Sequence, residues 1–543
     1  MTRHVSTNRR QRRPSQAPPK TRSVPNLQKP SGVIGHRVKR VGGDKFAIVC
    51  IDPAKQRSEW MMADYFGNLL IEQQTLPHQA VFFQQAVAQV RAAQHEHEIQ
   101  DTIVVVERTG NYHLAPQRAF AQAGFETRVV HPFTTRHFRL PANPGIKTDA
   151  NDLHAQHRAA VAGFGLCTRE LESPYRDLQL RARHRRNLVE NASSIACQVR
   201  EHLHLSMPGY STLFDHLLDH RSAMAIARRC ESPARVRELG HAGLNRHMRE
   251  QMVRCQPRTI EKVLAWAAQA ADDSIRDGRL HHAIWTDLEE LYQHFQRQIL
   301  ALERELAGDL VQTPYVRLLA IPGINVVSAA ELAGELGPIQ HYANANAITG
   351  RSGLYPSRYQ SDETDHSGPL IRQANRRLRC ALMRIADNLA CHCAYYRSHA
   401  DVDRARGINP RASRVKIAKK FTRLAFVCLA GEERLRHPAV RQPDCILEKL
   451  REFHHVHHTP LDQLLRDLQT TVAQLPLPTC RQEATVVAEL LRQNAHRKRD
   501  GISIGALLPA VMARLQARSP GQAETAQVTP SNPLTSGIGP ELV

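Results

Sequence analysis

Gly145-Ile146-Lys147-Thr148-Asp149-Ala150-Asn151-Asp152-Leu153-His154-Ala155 carries two aspartates three residues apart in a segment of helical character. Positions i and i+3 of a helix share one face, so the carboxylates of Asp149 and Asp152 are neighbours. Two carboxylates held that close repel each other unless a cation lies between them. Carboxylate oxygens are ligands that suit Mg²⁺ or Mn²⁺. The segment therefore predicts part of a metal site, for which other parts of the chain must supply further ligands.

The chain before this segment has the pattern of a mixed sheet with helices. Residues 45–52 and 102–107 are apolar runs typical of buried strands, and each ends in a carboxylate, Asp52 and Glu107 respectively. The other predicted elements are strands at 59–63, 69–71 and 127–131 and helices at 79–98 and 113–124. Three antiparallel strands followed by helix, strand, helix, strand and helix match an RNase H-like (RuvC-like) α/β domain.

Four acids occupy positions where such a fold brings side chains together. Functional sites in open sheets form at the carboxyl ends of the strands. Asp52 and Glu107 end what would be adjacent central strands, and the helix with Asp149 and Asp152 can pack so that all four carboxylates meet. A single acid at a strand end is usually only a turn residue, whereas four in compatible places favour a metal site. Two divalent cations roughly 4 Å apart can activate an attacking oxygen and stabilise a leaving oxygen in phosphodiester cleavage.

The charge of the chain favours a polyanionic partner. Lysine and arginine number 73 against 52 aspartates and glutamates, a formal charge of +21 with histidine neutral. DNA, RNA or an acidic membrane surface would suit such a chain. Lys55 and Arg108 flank the predicted acidic site, where they either hold a phosphate or are ordinary surface cations.

The sequence predicts neither a membrane protein nor a secreted one. No run of about 18 apolar residues suggests a transmembrane helix, and the N-terminal residues lack the apolar core of a secretory signal. The 11 cysteines are scattered, without a CxxC pair. A disulfide scaffold or zinc ribbon is therefore not expected, and a reducing cytoplasm fits.

Composition divides the remaining chain into further regions. Residues 1–44 are basic and rich in proline, which predicts a disordered arm. The arm is either a nonspecific nucleic-acid contact or a segment without such a role, namely a solubilising tail or the result of a misassigned start codon. Residues 45–165 are expected to form the RNase H-like domain. Residues 166–315 are expected to be helical, with apolar residues recurring every three or four positions at Leu288, Leu291, Phe295, Ile299, Leu302 and Leu306. This seam is either an internal helical hairpin or a subunit contact.

A second informative region follows at residues 318–331. An apolar helix, a Pro-Gly-Ile turn and a small-residue helix resemble a helix-hairpin-helix, although a plain helical hairpin is the alternative. Backbone N–H groups at such a turn favour phosphate, which makes Gly323 a candidate contact. Asn325 stands where a second glycine is usual.

Residues 353–379 carry a candidate nucleophile among arginines. Ser361 lies in a predicted polar loop with Arg358, and Arg376 and Arg379 open the helix that follows. A serine hydroxyl attacks a phosphodiester only if a base or metal activates it, and most such serines are inert. Residues 404–423 add a basic helix with Arg411 and Arg414, which is either a DNA-backbone contact or a solvated face.

Residues 433–543 are expected to form a helical extension with helices near 461–475, 482–494 and 503–517, followed by a disordered tail. The run Phe453-His-His-Val-His-His458 could bind a metal, but such a run without partners is more often incidental.

Together these motifs resemble the DEDD insertion-sequence transposases of the IS one-ten family, with its eleven-eleven subgroup. The segments Ile-Asp-Pro-Ala-Lys, Glu-Arg-Thr-Gly and Lys-Thr-Asp-Ala-Asn-Asp are similar to that family's RuvC-like domain, and residues 316–432 are similar to its C-terminal transposase domain. The resemblance implies that Asp52, Glu107, Asp149 and Asp152 are the acidic tetrad, holding Mg²⁺ or Mn²⁺.

The resemblance also implies a serine nucleophile that becomes joined to DNA. Ser361 is the best match, but Asp362 replaces a usual glycine, so Ser357 and Ser367 are alternatives. It further implies a composite site, a homotetramer, donor and target DNA as substrates, a noncoding bridge RNA that guides both, and a cytoplasmic, nucleoid-associated protein. Two other functions compete with RNA-guided transposition. One is a RuvC-like junction resolvase that uses metal-activated water, and the other is a noncatalytic RNA-binding protein.

Overall fold

The computed structural model describes residues 32–141, 145–165, 171–271, 277–361, 364–433, 435–476, 498–499 and 502–503. The chain divides into two units, Met1–Glu170 and Leu171–Val543. Several sequence predictions lie outside the described residues: the arm before residue 32, Asp362, the helix at 482–494, the helix at 503–517 apart from its first residue, and the C-terminal tail.

The first unit contains a five-stranded mixed sheet. Its strands are β1 (Phe46–Pro53), β2 (Arg57–Asp64), β3 (Leu69–Pro77), β4 (Asp101–Glu107) and β5 (Glu126–Val130). They lie in the order β3-β2-β1-β4-β5, with β1, β2 and β3 antiparallel and β1, β4 and β5 parallel. This arrangement confirms the RNase H-like prediction. Strand β3 is longer than the predicted residues 69–71, and the prediction stopped short because residues 72–75 are polar and exposed.

Both faces of the sheet are covered by helices. The helices of this unit are α1 (Gly32–Val41), α2 (Ala80–Glu96), α3 (Leu114–Gln122), α4 (Pro132–Arg139) and α5 (Asp149–Val161). Because side chains alternate along a strand, Val49 packs in the core with α2 while Ile48 packs with α1 and α5. Burial on both faces explains why β1 reads as one continuous apolar run.

The disorder predicted for residues 1–44 is wrong for the part after residue 31, where α1 forms. Ile34 and Val38 are buried against the sheet. Arg37 forms ion pairs with Asp101 and with Glu126. A basic composition therefore concealed a helix whose partners lie far along the chain.

The second unit begins with a long helical hairpin. Helix α6 (Tyr175–Ser206) packs along α10 (Gly278–Leu310), and α7 (Arg221–Arg229), α8 (Pro233–Glu250) and α9 (Pro257–Gln269) lie between them in sequence. The predicted seam of α10 faces α6, since Ile299 packs against Leu188 and Ala192. The internal-hairpin interpretation explains this seam. The dense arginines of α6 are also used internally, in ion pairs of Arg181, Arg183, Arg185 and Arg186 with acids.

In the rest of the second unit, helices α11 to α17 share one large apolar core. Its elements are α11 (Val326–Leu336), α12 (Ala345–Ser352), β6 (Pro356–Ser361), β7 (Thr364–Leu370), α13 (Arg376–His392), α14 (Ala394–Ala405), α15 (Pro410–Ala430), α16 (Asp444–Val456), α17 (Leu461–Val472), and the short pair β8 (Lys498–Arg499) and β9 (Ile502–Ser503). Ile446, Leu447 and Leu461 of α16 and α17 are buried in the same core as α11 and α13. Among the helices of the described ranges, none combines the length and the apolar character needed to cross a membrane.

Candidate acidic site

The sheet brings Asp52 and Glu107 to neighbouring positions. Strands β1 and β4 are parallel, with Ile51 in register with Val106, so the next residue of each strand lies at the same edge. Helix α5 packs on β1, β2 and β4. Its first turn carries the remaining two predicted acids, so all four lie at one end of the unit's central strands.

Helix α5 begins at this edge for local reasons. The Thr148 side chain caps the helix by accepting a hydrogen bond from the Asn151 backbone N–H at 3.2 Å. Asp149 and Asp152 lie in the first turn, where negative charge is favoured by the helix dipole. Leu153 and Ala160 are buried against the sheet and fix the rotation of the helix.

Electrostatics couples the four carboxylates. Burial raises the pKa of Asp52 from 3.8 to about 7, and the charges of Glu107, Asp152 and Asp149 add to that effect while Lys147 opposes it. Burial also raises the pKa of Glu107, with a further contribution from Asp152. Every predicted tetrad member thus influences the titration of Asp52. Such a group of negative charges attracts a cation.

The guanidinium of Arg139 already lies beside one of the four acids, Asp152. Arg139, at the end of α4, forms an ion pair with Asp152, and both side chains are largely buried. Thr135, one turn earlier, is buried with a hydroxyl that lacks a hydrogen-bond partner of good geometry. This hydroxyl nevertheless lies near enough to Glu107 to lower the pKa of that carboxyl. Sequence reasoning missed α4, although Pro132 directly after His131, which caps the helix, is a helix-start signal.

The donor set suits a hard divalent cation, but one of its members, Asp152, is paired with Arg139. As the side chains stand, no three His, Cys, Asp or Glu residues in the described ranges are grouped closely enough to hold a metal ion. The ion pair between Asp152 and Arg139 accounts for part of this, since a metal bound there would compete with the guanidinium. Carboxylate oxygens in both monodentate and bridging modes are the ligands that Mg²⁺ and Mn²⁺ prefer.

The two cations predicted to flank the acids are both on the surface. Lys55 is exposed in the turn between β1 and β2, and Arg108 is exposed directly after β4. The backbone N–H of Arg108 donates to the Val130 carbonyl at 2.8 Å, which fixes the start of this loop. Both side chains are therefore exposed to solvent. Lys55 follows the strand that carries Asp52, and Arg108 follows the strand that ends at Glu107.

Removing the Asp52 charge is expected to stabilise the metal-free protein. The unfolded chain loses this proton near pH 3.8, whereas the folded chain holds it up to about pH 7. The contribution of Asp52 to the stability of the wild type therefore falls as the pH rises from about 4 to 7. Above pH 7 its destabilising effect is complete. Asp52→Asn should raise the free energy of unfolding by about 1–3 kcal/mol at pH 8 and by little at pH 4.

Urea unfolding in the presence of EDTA measures this difference. Glu72→Gln, on the exposed edge strand β3, is the matched control and should show no such pH-dependent gain. A gain for Asp52→Asn that is equal at both pH values, or absent, would contradict the raised pKa of Asp52.

The serine segment is a β-hairpin rather than the predicted loop. Ser361 ends β6 and is exposed opposite Thr364 of β7. Ser357 donates its hydroxyl to the Pro369 carbonyl at 3.1 Å, and Ser367 lies opposite Arg358. Strand pairing was missed because this segment is polar and lacks an apolar face.

The arginines predicted to contact nucleic acid differ in their surroundings. Arg376 and Arg411 are exposed at the starts of α13 and α15. Arg358 forms a two-pronged ion pair with Asp365 at 2.8 and 2.6 Å. Arg414 pairs with Asp387 at 2.5 Å, and Arg379 donates to the carbonyls of Ser352 and Ile371.

The predicted helix-hairpin-helix has an altered first half. Its apolar segment is a 3-10 helix, Pro314–Ala320, rather than an α-helix. Gly323 has a φ of 89°, and a side chain there would lie 2.7 Å from the Asn388 carbonyl oxygen of α13. Asn325 caps α11 and receives the Ser328 backbone N–H at 2.8 Å. Close packing against α13 thus requires glycine at position 323. Asn325, which stands where a second glycine is usual, caps α11.

The histidine-rich run lies at the end of α16 among protein partners. His457 contacts Glu303 at 2.5 Å and stacks on Phe453. His454 is fully buried and contacts the Thr459 hydroxyl at 3.0 Å. These contacts favour the interpretation that the run is structural.

Comparisons with known proteins match both regions that carry candidate residues. Residues 49–208 match the family model of DEDD transposases of the IS110 type, and residues 315–402 match that of the transposase IS116/IS110/IS902 family. The insertion element IS110 uncharacterized 43.6 kDa protein of Streptomyces coelicolor is 24% identical over 334 residues, which are 60% of this chain and 81% of that protein.

A second relative matches a shorter part of the chain. The transposase for insertion sequence element IS1328 of Yersinia enterocolitica is 30% identical over 102 residues, 19% of this chain and 30% of that protein. The first matched region contains all four acids and the second contains the serine hairpin. With an RNase H-like sheet beneath the acids, these matches show that the chain is similar to DEDD transposases of the IS110 type over both matched regions, and they support an enzyme that cuts and rejoins DNA.

Proposed function

We propose that this transposase cleaves and rejoins the DNA of its own insertion sequence with an acidic tetrad and a serine nucleophile. Asp52, Glu107, Asp149 and Asp152 form the tetrad. The observation that carries the proposal is the position of all four acids at one end of the central strands. Burial raises the pKa of Asp52 there, and the charges of the three other acids raise it further. Carboxylates that repel each other in this way stabilise the binding of a divalent cation, Mg²⁺ or Mn²⁺.

The residues of the chain would divide the chemistry between them. A divalent cation held by the tetrad would supply positive charge beside the scissile phosphate. The Ser361 oxygen would attack the phosphorus while its proton leaves to a base, forming a serine–phosphate ester and releasing a DNA hydroxyl. Attack by a DNA hydroxyl on that ester would reverse the step and free the serine. Exposure of Ser361 at the end of β6 makes it accessible for such an attack.

Exposed cations would hold the DNA and RNA backbones. Lys55, Arg108, Arg376 and Arg411 are the best candidates, because their side chains face solvent. Arg358, Arg379 and Arg414 would contribute by holding the hairpin and the helix starts in place, since each has a protein partner. A role for Gly323 would be to permit the close packing of the turn rather than to bind phosphate directly.

RNA guidance and a homotetrameric assembly complete the proposal. The net charge of +21 supports binding of both RNA and DNA. The cysteines within the described ranges are free thiols, which supports a reducing cytoplasm where the nucleoid lies. The domain boundaries proposed are 45–165 for the RuvC-like domain, 166–315 for the helical region, 316–432 for the serine domain and 433–543 for the extension.

Reconstituted excision and joining test this function. The purified protein would be incubated with donor and target DNA and Mg²⁺, with or without RNA transcribed from the noncoding DNA beside its gene. Joined products that require both the RNA and the divalent cation are expected. Equal joining without RNA would refute guidance, and joining in EDTA would refute the role of the metal. Cleavage without any covalent protein–DNA adduct would instead indicate a water nucleophile.

A further inference from the structure

Three backbone carbonyls converge on a single lysine in the second unit. The Lys449 ammonium donates to the carbonyl oxygens of Leu319 at 2.6 Å, Ile321 at 2.9 Å and Ile324 at 3.0 Å. An ammonium group has three N–H donors, so this arrangement uses all of them. The three carbonyls belong to the end of the 3-10 helix and to the turn that follows it.

These carbonyls need a partner because of where they lie. The last carbonyls of a helix have no partner within it. In the turn that follows, the Ile321 carbonyl also accepts the Ile324 backbone N–H at 3.2 Å. Leu319, Ile321 and Ile324 are buried, so water has little access to them. Leaving several buried carbonyls unsatisfied is strongly unfavourable. Converging carbonyl oxygens are also the arrangement that binds a dehydrated monovalent cation such as K⁺.

Packing of α16 holds the ammonium in this position. Ile446, Leu447 and Leu450, on the same helix, are buried in the core of the unit. The backbone N–H of Arg441, just before α16, donates to the Ala320 carbonyl at 2.9 Å. Burial lowers the pKa of Lys449 to about 8, which leaves the side chain mainly protonated at neutral pH. Four carbonyls of the 3-10 helix and its turn therefore accept hydrogen bonds from this part of the chain, three from the Lys449 ammonium and one from the Arg441 backbone N–H.

We propose that Lys449 is a built-in monovalent cation that fixes the turn at residues 321–324. Its ammonium fills a three-carbonyl cation site, so the turn keeps its shape without a dissolved ion. Residues 441–449 lie beyond both regions that match the family models, which end at residues 208 and 402. The C-terminal extension thereby gains a role in fixing the turn that packs against α13. This inference does not depend on the proposed chemistry.

Chemical rescue tests the proposal on the full chain. Lys449→Ala removes the ammonium and leaves space, so its thermal unfolding midpoint in choline chloride should fall by about 5 °C or more. Ammonium or potassium chloride at the same ionic strength should restore at least half of that loss. Lys449→Met fills the space with an uncharged chain of similar length, so it should lose stability and gain nothing from either salt.

Two comparisons separate this effect from general ones. Lys420→Ala changes an exposed lysine of α15 and is the control variant. For this variant, and for the wild type, the unfolding midpoint should be the same in choline, ammonium and potassium chloride. An unchanged midpoint for Lys449→Ala, or a loss that ammonium and potassium do not relieve, would overturn the proposal. Should Lys449→Ala fail to fold in choline chloride, the yield of refolded protein in ammonium against choline gives the same test.

Discussion

Asp149→Ala is expected to reduce DNA strand cleavage by roughly three orders of magnitude. A bound divalent cation contributes several kcal/mol to stabilising the charge that develops on a phosphate, and each 1.36 kcal/mol corresponds to a tenfold change in rate. Asp149 is the most exposed of the four acids, so its loss should leave the fold intact. The rate of strand cleavage on labelled donor DNA, measured with saturating Mg²⁺, gives the effect.

Glu72→Gln serves as the matched control for this prediction. It removes one carboxylate from the same unit, at the exposed edge strand β3, and should cleave at the wild-type rate. Circular dichroism of both variants would confirm that they fold. If Asp149→Ala cleaves DNA as fast as Glu72→Gln, Asp149 does not belong to the reacting site.

Ser361→Ala is expected to abolish the covalent protein–DNA adduct and the joined product. The hydroxyl is the attacking atom in the proposed reaction, and alanine offers no nucleophile in its place. Ser361 forms its strand pair with Thr364 through the backbone, so the hairpin should survive the change. Denaturing gel electrophoresis of labelled DNA after trapping measures the adduct directly.

Ser357→Ala and Ser367→Ala decide between the three candidate serines. Ser357→Ala loses the hydrogen bond to the Pro369 carbonyl and should lower the stability of the hairpin slightly while retaining the adduct. Ser367→Ala should also retain it. An adduct that persists in Ser361→Ala and disappears in one of the other two would transfer the nucleophile to that residue.

The sheet could be predicted from sequence because its signals are local. Strands β1 and β4 are continuous apolar runs that end in acids, and the Thr148 cap precedes α5. The RNase H-like order followed from the succession of strands and helices that such local signals predict. In contrast, α4 is short and polar, and its importance comes from the contact of Arg139 with Asp152. That contact depends on how α4 and α5 pack, which no local pattern records.

Long-range pairing also explains what was not predicted in the second unit. The α6 arginines form ion pairs with acids of distant helices, such as Asp309 and Glu335. Lys449 is separated by more than a hundred residues from the carbonyls it contacts. The sign of a residue's charge is readable in the sequence, whereas its partner is set by the fold.

Titration of Mn²⁺ into the purified protein at pH 8 tests the central claim most directly. If the acids of β1, β4 and α5 form one cation site, the wild type binds Mn²⁺ and each of Asp52→Asn, Glu107→Gln, Asp149→Asn and Asp152→Asn weakens binding at least about tenfold. Arg139→Gln, which frees Asp152 from its ion pair, should bind more tightly than the wild type. Wild-type affinity in the Asp52, Glu107 and Asp149 variants would contradict the account.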